Sequence, residues 1–446
     1  MRYALLRASL RPGSFARNVA VLVSWGLIAQ VFSFLLMPLL TRVYNPSQFG
    51  LFAVFTNAAV FLGVVAAMRY EYAIVLPSED RDAALVVWLA VETAVLFALA
   101  TLLAMMAAGS RVGSWPLTAG IAPWRNWIPL ALVLLATYSA QAYWAIRHKQ
   151  YSRLGRSKLV MAMVTVVVQL TSAWMLGART GGLVAGLVAG QLAGMAYLAW
   201  RNGLSLELAD DWSGMLALGR RYSHFPRYAA LGSGLDGISQ LLPVAVLSAT
   251  FGAAIAGHFA LADRALRAPS ILLGSSLSQV FFQRLSESKS NPVECRRLLL
   301  RTWKHLAAFG VVPSLVALLL GPWVFALIFG ARWQEAGQVA QALAPGVFIY
   351  FVAFPTSNVI VVFERVGLLL VWQVVCVGVI TAIFLLGPTY GHLARVQVIW
   401  AFSIALLLLH GANLILQWYV VGRGLPMSAT AAAVVESTRS LVLSHD

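Results

Sequence analysis

Apolar runs of about twenty residues succeed one another along nearly the whole chain, each long enough to cross a hydrocarbon core of about 30 Å. Of the 446 residues, 60% are hydrophobic and 11% charged, whereas a soluble domain carries about a quarter charged residues. The sequence therefore reads as an all-α, polytopic membrane protein without a large water-soluble domain. Apolar length and polar punctuation place about twelve transmembrane helices. The first six fall near 18–40, 50–70, 83–108, 126–146, 158–177 and 182–200. The second six fall near 228–251, 257–282, 303–329, 337–363, 367–387 and 396–418.

The net charge of +16 would suggest nucleic acid in a soluble protein. Here the basic residues sit between spans, so no nucleic-acid partner is expected. Of the 32 Lys and Arg, only Arg42, Arg111, Arg125, Arg179, Arg332 and Arg395 fall in outer connections, and Arg264 and Arg267 fall inside a span. All others lie at the opposite end, which predicts both termini in the cytoplasm and an even number of spans. Arg2, Arg7, Arg11 and Arg17 precede an apolar run from Asn18 to Leu40 that reads as a retained helix rather than a cleaved signal. Cys295 and Cys376 give neither a disulfide framework nor a metal-ligand spacing.

Gly50-Leu51-Phe52-Ala53 recurs as Gly257-His258-Phe259-Ala260 at an offset of nearly half the chain. Each copy follows a long span and a short outer connection. The pattern predicts two parallel six-helix lobes, related by an axis along the membrane normal, with the substrate between them. The expected boundaries are a basic N-terminus (1–17), a first lobe (18–205), a cytoplasmic linker (206–227), a second lobe (228–420) and a tail (421–446).

Intramembrane charge is the chief pointer to a site, because a charge at the helix centre costs at least about 2.5 kcal/mol. Asp263, Arg264 and Arg267 lie inside the eighth span, with Arg267 about 15 Å beyond Gly257 at 1.5 Å per residue. The two arginines share a face, and Asp263 can pair with Arg267 at i,i+4. Three readings follow: a cationic patch for phosphate or carboxylate, which suits the forked guanidinium, an interlobe salt bridge, or a span that starts later and leaves both arginines at the interface. Glu92 and Asp236 are candidates for proton or sodium coupling, or equally partners for those arginines. Arg69 and Glu71 end the second span; two apart on a helix they point to different faces. They read as a substrate contact at the inner mouth, or as neighbours of two anchoring tyrosines, Tyr70 and Tyr72. Gly182, Gly186, Gly190 and Gly194 form a small-residue ladder that reads as helix packing. Pro38, Pro243, Pro313, Pro345 and Pro355 predict bends. No H-E-x-x-H, P-loop or G-x-S-x-G motif occurs, so no enzyme is expected.

Phe49-Gly50-Leu51-Phe52-Ala53 and Arg69-Tyr70-Glu71-Tyr72-Ala73-Ile74-Val75-Leu76-Pro77 resemble the polysaccharide-transporter (Wzx-type) oligosaccharide flippases. So do Ala256–Arg264, Ser278–Glu287, Phe329-Gly330-Ala331-Arg332-Trp333 and the stretch from Leu343-Ala344-Pro345 to Phe354-Pro355-Thr356-Ser357. The similarity runs from about residue 18 to 420. These flippases share a superfamily with the MATE drug exporters and the lipid II flippases. The resemblance implies a MATE-like fold and a cargo of undecaprenyl-pyrophosphate-linked oligosaccharide, moved from the inner leaflet of the bacterial inner membrane for O-antigen, capsule or exopolysaccharide synthesis. It implies Arg264, and with it Arg267, as receivers of the anionic head group. Polymerase and chain-length machinery are the expected downstream partners, membrane lipids the surroundings, and a proton or sodium gradient the energy source, with no bound cofactor. His258 departs from the plain residue that the family usually has there. The nearest rival is a cation-coupled MATE-like exporter of small molecules. A membrane-embedded polymerase or ligase would be expected to have a larger outer loop than 109–125, and a non-transporting scaffold leaves the intramembrane charges unexplained.

Overall fold

A computed structural model describes residues 15–109, 114, 122–203, 211–289, 291–363, 365–389, 391 and 393–423. Most of the basic N-terminal stretch, Arg111 and the tail beyond Arg423 lie outside the described residues. The described chain is all-helical, without strands, and ten of its helices are long and apolar enough to cross a membrane. The first group comprises α1 (Phe15–Leu35), α2 (Met37–Val43), α3 (Pro46–Ala66), α4 (Asp80–Ala108), α5 (Trp127–Arg147), α6 (Tyr151–Leu176) and α7 (Thr180–Asn202). After a short amphipathic α8 (Trp212–Arg221) come α9 (Ala230–Phe251), α10 (Ala253–Glu287), α11 (Pro292–Phe329), α12 (Gln334–Ala353), α13 (Val366–Thr381) and α14 (Arg395–Arg423).

Local chemistry explains the breaks. α1 and α2 form one span interrupted at Leu36, with Pro38 in the first turn of α2, where its missing N–H costs nothing. α3 starts with a capping box: Asn45 Oδ1 accepts from the Gln48 amide while the Gln48 side chain accepts from the Asn45 amide, and Pro46 follows. Gly252, at φ 91°, makes the corner between α9 and α10 in a region that L side chains rarely adopt. Pro243, Pro313 and Pro345 lie within continuous helices. Pro355, by contrast, sits in the 3-10 turn that ends the tenth span.

Several helices outrun the apolar segments that announce them. α6 begins at Tyr151 and α11 at Pro292, well before the expected 158 and 303. Apolar length marks only the hydrocarbon-crossing part, whereas Lys and Arg are good helix formers and carry the helix into the head-group region. The reverse holds for α10. It is 35 residues long yet is not among the ten apolar spans, because its first half holds Asp263, Arg264 and Arg267.

In the first lobe α1 packs on α6, α6 on α7, and α5 against α3, α4 and α7. In the second, α12 packs on α10, α11 and α14, while α9 contacts α10 and α13. α3 crosses between them and lies along both α9 and α10. The glycine ladder of α7 does pack: Cβ atoms at Gly182, Gly186, Gly190 or Gly194 would strike side chains or carbonyls of α6, among them Ser172, Gln169, Thr165 and Met161.

The lobes are joined unequally at their two ends. The largest buried cluster runs through both, from Tyr44, Phe55 and Leu132 to Phe259, Trp333 and Phe384. Smaller clusters at the other end stay within one half: Tyr70, Leu85 and Trp144 with Met215 of α8 in one, Phe281, Leu285 and Leu299 in another. At the joined end Trp333 Nε1 donates to the Thr41 carbonyl at 2.8 Å, and Thr41 Oγ1 donates to the Phe329 carbonyl at 3.1 Å. Beside these bonds Gly50 and Gly257 face each other. A Cβ on Gly50 would overlap the Ala253 carbonyl, and one on Gly257 would overlap the Pro46 carbonyl. The repeated glycines thus hold the backbones of α3 and α10 in direct contact across the lobe boundary.

Candidate functional site

A cavity of 780 Å³ lies mainly within the second lobe. Its walls come from α9, α10, α12, α13 and α14, and the first lobe contributes α3 with Met37 of α2. The sequence placed a site midway between equal lobes. The departure follows from α3, which crosses the boundary and leaves the polar faces of α9 and α10 on the second-lobe side.

Three charged residues of α10 reach this cavity: Asp263, Arg264 and Arg267. One turn of helix brings Arg267 Nε to 2.6 Å from Asp263 Oδ1, the i,i+4 geometry that the spacing allows. The Arg267 guanidinium also stacks over the Tyr350 ring, 4.6 Å from its centroid. Tyr350 in turn meets His410 edge-on at 5.1 Å and stacks on Phe354 at 5.3 Å. Arg267 is therefore held on two sides. Arg264 is exposed within the same cavity and has no carboxylate partner among the described residues. A guanidinium so placed offers its donors to whatever enters.

Asp236 faces the cavity from α9, and Gln240 Nε2 donates to its Oδ2 at 3.1 Å. It makes no ion pair with Arg264 or Arg267 among the described residues. One cavity thus holds an arginine and an aspartate that make no ion pair among the described residues. Glu92 behaves differently. It lies half-buried on α4 and does not line the cavity, so it partners neither arginine.

Arg69 and Glu71 also lie away from the cavity, and here the helical-spacing argument fails. α3 ends at Ala66, Met68 and Arg69 take left-handed φ values of 46° and 59°, and a 3-10 turn covers Tyr70–Val75. That reversal brings Arg69 NH1 to 3.0 Å from Glu71 Oε1. Arg69 Nε donates to Ser233 Oγ of α9 at 2.8 Å, and the guanidinium covers the Tyr72 ring at 4.8 Å. Glu71 is only 2% exposed, and its second oxygen has no hydrogen-bond partner. Burial raises its carboxyl above the ordinary carboxylate range, and the neighbouring Arg69 offsets this only in part. The pair is a buried tie between the lobes at the end opposite the glycine contact.

Sequence reading passed over Tyr350, His410, Trp372, Gln373 and Asn57, all in the cavity wall. His410 carried a usable signal, being a titratable residue inside an apolar span. The others are neutral and blend into their helices. Cys376 lines the cavity, whereas Cys295 is buried elsewhere. No cluster of three or more His, Cys, Asp or Glu suited to a metal occurs among the described residues.

The fold has known counterparts. The lipid II flippase MurJ in its inward closed conformation matches with a TM-score of 0.70, over 91% of this chain and 88% of that one, at 11% identity. The inward-facing conformation of a multidrug resistance MATE family transporter of the MOP superfamily gives 0.68, over 88% and 95%, at 12% identity. The outward-facing conformation of such a transporter gives 0.59, over 91% and 95%, at 12% identity. No curated protein matches the chain. A family model described as "Polysaccharide biosynthesis protein" matches residues 39–338. With that match spanning most of its length and with the fold of MOP-superfamily transporters, this multi-pass membrane protein belongs to the polysaccharide biosynthesis protein family.

Proposed function

We propose that the protein is a flippase that moves undecaprenyl-pyrophosphate-linked oligosaccharide repeat units across the bacterial inner membrane by alternating access, with both termini in the cytoplasm. The observation that carries this reading is the unpaired guanidinium of Arg264 in a cavity inside a helix bundle. A charge kept at that depth without a protein partner calls for an anion from outside, and the forked donor set of arginine fits pyrophosphate or an acidic sugar. The cavity volume of 780 Å³ sits within the range of about 300–1,000 Å³ typical of small-molecule sites. That suits a polar head group, with the polyprenyl chain left in the bilayer. The joined glycine end and the higher TM-score against the inward-facing transporter support an inward-facing state. Asp236, in the wall of the same cavity and without an ion pair among the described residues, is the candidate for proton or sodium coupling. It is also the feature that favours the second reading, a cation-coupled exporter of small molecules.

The test is transport of a fluorescent undecaprenyl-pyrophosphate oligosaccharide by purified protein in liposomes. Hydrogen bonds to charged groups are worth about 1.5–3 kcal/mol, so Arg264→Gln should slow translocation by about 10- to 150-fold while the protein stays folded. Absence of translocation by the native protein, together with Arg264-independent efflux of a lipophilic cation, would establish the exporter instead.

A further inference from the structure

α11 is 38 residues long, about 57 Å at 1.5 Å per residue, whereas the hydrocarbon core is about 30 Å thick. Its apolar part starts at about Leu306, so its first four turns stand in the head-group layer. Those turns hold a groove of 450 Å³ lined by Arg296, Arg297, Arg301 and Lys304 with Val293 and Leu300. Neither the cavity nor the lobe contacts use it.

Three observations define what the groove accepts. First, its basic groups are available. Arg297 is 63% exposed and, among the described residues, pairs only with Glu294 of its own helix, at 3.1 Å. Arg301 and Lys304 have no carboxylate partner among the described residues. His305, also in the lining, turns its Nδ1 to the Arg301 carbonyl at 2.6 Å. Second, the groove floor is built. Arg296 lies over the Trp418 ring of α14 at 4.8 Å, and its Nε is buried without an acceptor. Third, apolar residues share the face. Val293 and Leu300 are 67% and 42% exposed, and the stripe continues along the helix through exposed Val312, Leu315 and Leu319. Residues 293, 297, 300 and 304 follow the i, i+4, i+7, i+11 spacing of one helix face. A basic cluster that runs directly into a lipid-facing apolar stripe matches a ligand with a phosphate at one end and acyl chains at the other.

We infer that the first turns of α11 form a binding site for an anionic phospholipid of the surrounding leaflet. Its phosphate sits among Arg297, Arg301 and Lys304, and its acyl chains lie along Val312, Leu315 and Leu319. The site is separate from the transport cavity and holds whichever cargo that cavity takes.

The experiment is native mass spectrometry of the purified full-length chain in neutral detergent, titrated with dioleoylphosphatidylglycerol or dioleoylphosphatidylcholine. The anionic lipid should bind more tightly. The Arg301→Gln/Lys304→Gln pair should lower its affinity roughly 25-fold, at roughly 5-fold per charge near a membrane surface. Arg220→Gln/Arg221→Gln, which removes two exposed charges of α8, should leave it unchanged. Lipid-free melting temperatures of both variants should match the native protein. Equal binding of the two lipids, or undiminished phosphatidylglycerol binding by the α11 variant, would overturn the proposal. So would selective binding of undecaprenyl pyrophosphate at these residues, which would make the groove a cargo-loading site.

Discussion

The contact between Gly50 and Gly257 makes a demanding test of alternating access, because it joins backbone to backbone. A Cβ added to Gly257 falls inside van der Waals contact with the Pro46 carbonyl and also crowds the Gly50 amide. Neither neighbour is a flexible side chain that can swing away. The overlap exists only while α3 and α10 touch, and it vanishes once that end opens. Overpacking a tight contact costs about 1–3 kcal/mol, here charged to one conformer, so Gly257→Ala should shift the equilibrium about 5- to 150-fold toward the state open at that end. Cys376 supplies the readout, since it lines the cavity while Cys295 is buried. In a Cys295→Ser background, a membrane-impermeant maleimide is applied to right-side-out and inverted vesicles. The substitution should raise labelling from the outer side and lower it from the inner side. Gly50→Ala, which meets the Ala253 carbonyl, should act in the same direction and serves if the first variant folds poorly. Two folded variants with unchanged sidedness of labelling would refute the idea that this contact exists in only one of the two states.

Gly190→Ala offers the contrast, because Gly190 faces Thr165 and Met161 of α6 within one lobe; it should lower the melting temperature, at about 1–3 kcal/mol of overpacking, without changing labelling sidedness. Trp333→Phe removes the donor to the Thr41 carbonyl, and a buried acceptor left unpaired costs about 1–3 kcal/mol, so outer-side labelling of Cys376 should rise as it does for Gly257→Ala. Glu71 has a raised carboxyl because it is buried, so its favourable contribution is complete below about pH 4 and fades as pH rises through the raised value. Melting curves recorded from pH 4 to 8 should therefore show a decline that Glu71→Gln reduces, and an unchanged pH profile in that variant would refute the assignment.

Fold class was legible because bilayer thickness leaves a direct mark on apolar length. The succession of membrane helices follows from it, ten of them long and apolar enough to cross among the described residues. The tetrapeptide repeat also has a physical cause: its first residues, Gly50 and Gly257, are the two that touch across the lobe boundary, so both copies need glycine at the same place. Helix ends were less legible, because α6 and α11 continue through charged segments that hydropathy assigns to loops. The Arg69–Glu71 pair was misread for a conformational reason. The spacing rule presumes a helix, and two consecutive left-handed residues, Met68 and Arg69, abolish it. Nothing in the local sequence, which has no glycine there, announces that reversal.

The candidate site was legible in proportion to its charge. Asp263, Arg264 and Arg267 stand out in an apolar chain, and they are the reason that α10 is too polar to count among the clear spans. A helix that fails the ordinary test for a membrane crossing, between two others that pass, must be sheltered from lipid by its neighbours. In this fold α3, α9 and α12 provide that shelter. The same shelter leaves room for a cavity on the polar side, so the weak span and the site have a single origin. Which face of α9 joins that cavity was not readable, because Asp236 and Glu92 look alike in sequence: each is one acid in an apolar run. They part only in three dimensions, where α9 borders α10 and α13 while α4 packs on α5. Asp236 thereby lines the same cavity as Arg264, and Glu92 remains outside it. If the coupling ion binds in the cavity, Asp236→Asn should abolish gradient-driven transport while Glu92→Gln preserves it, and the reverse result would move coupling out of the second lobe altogether.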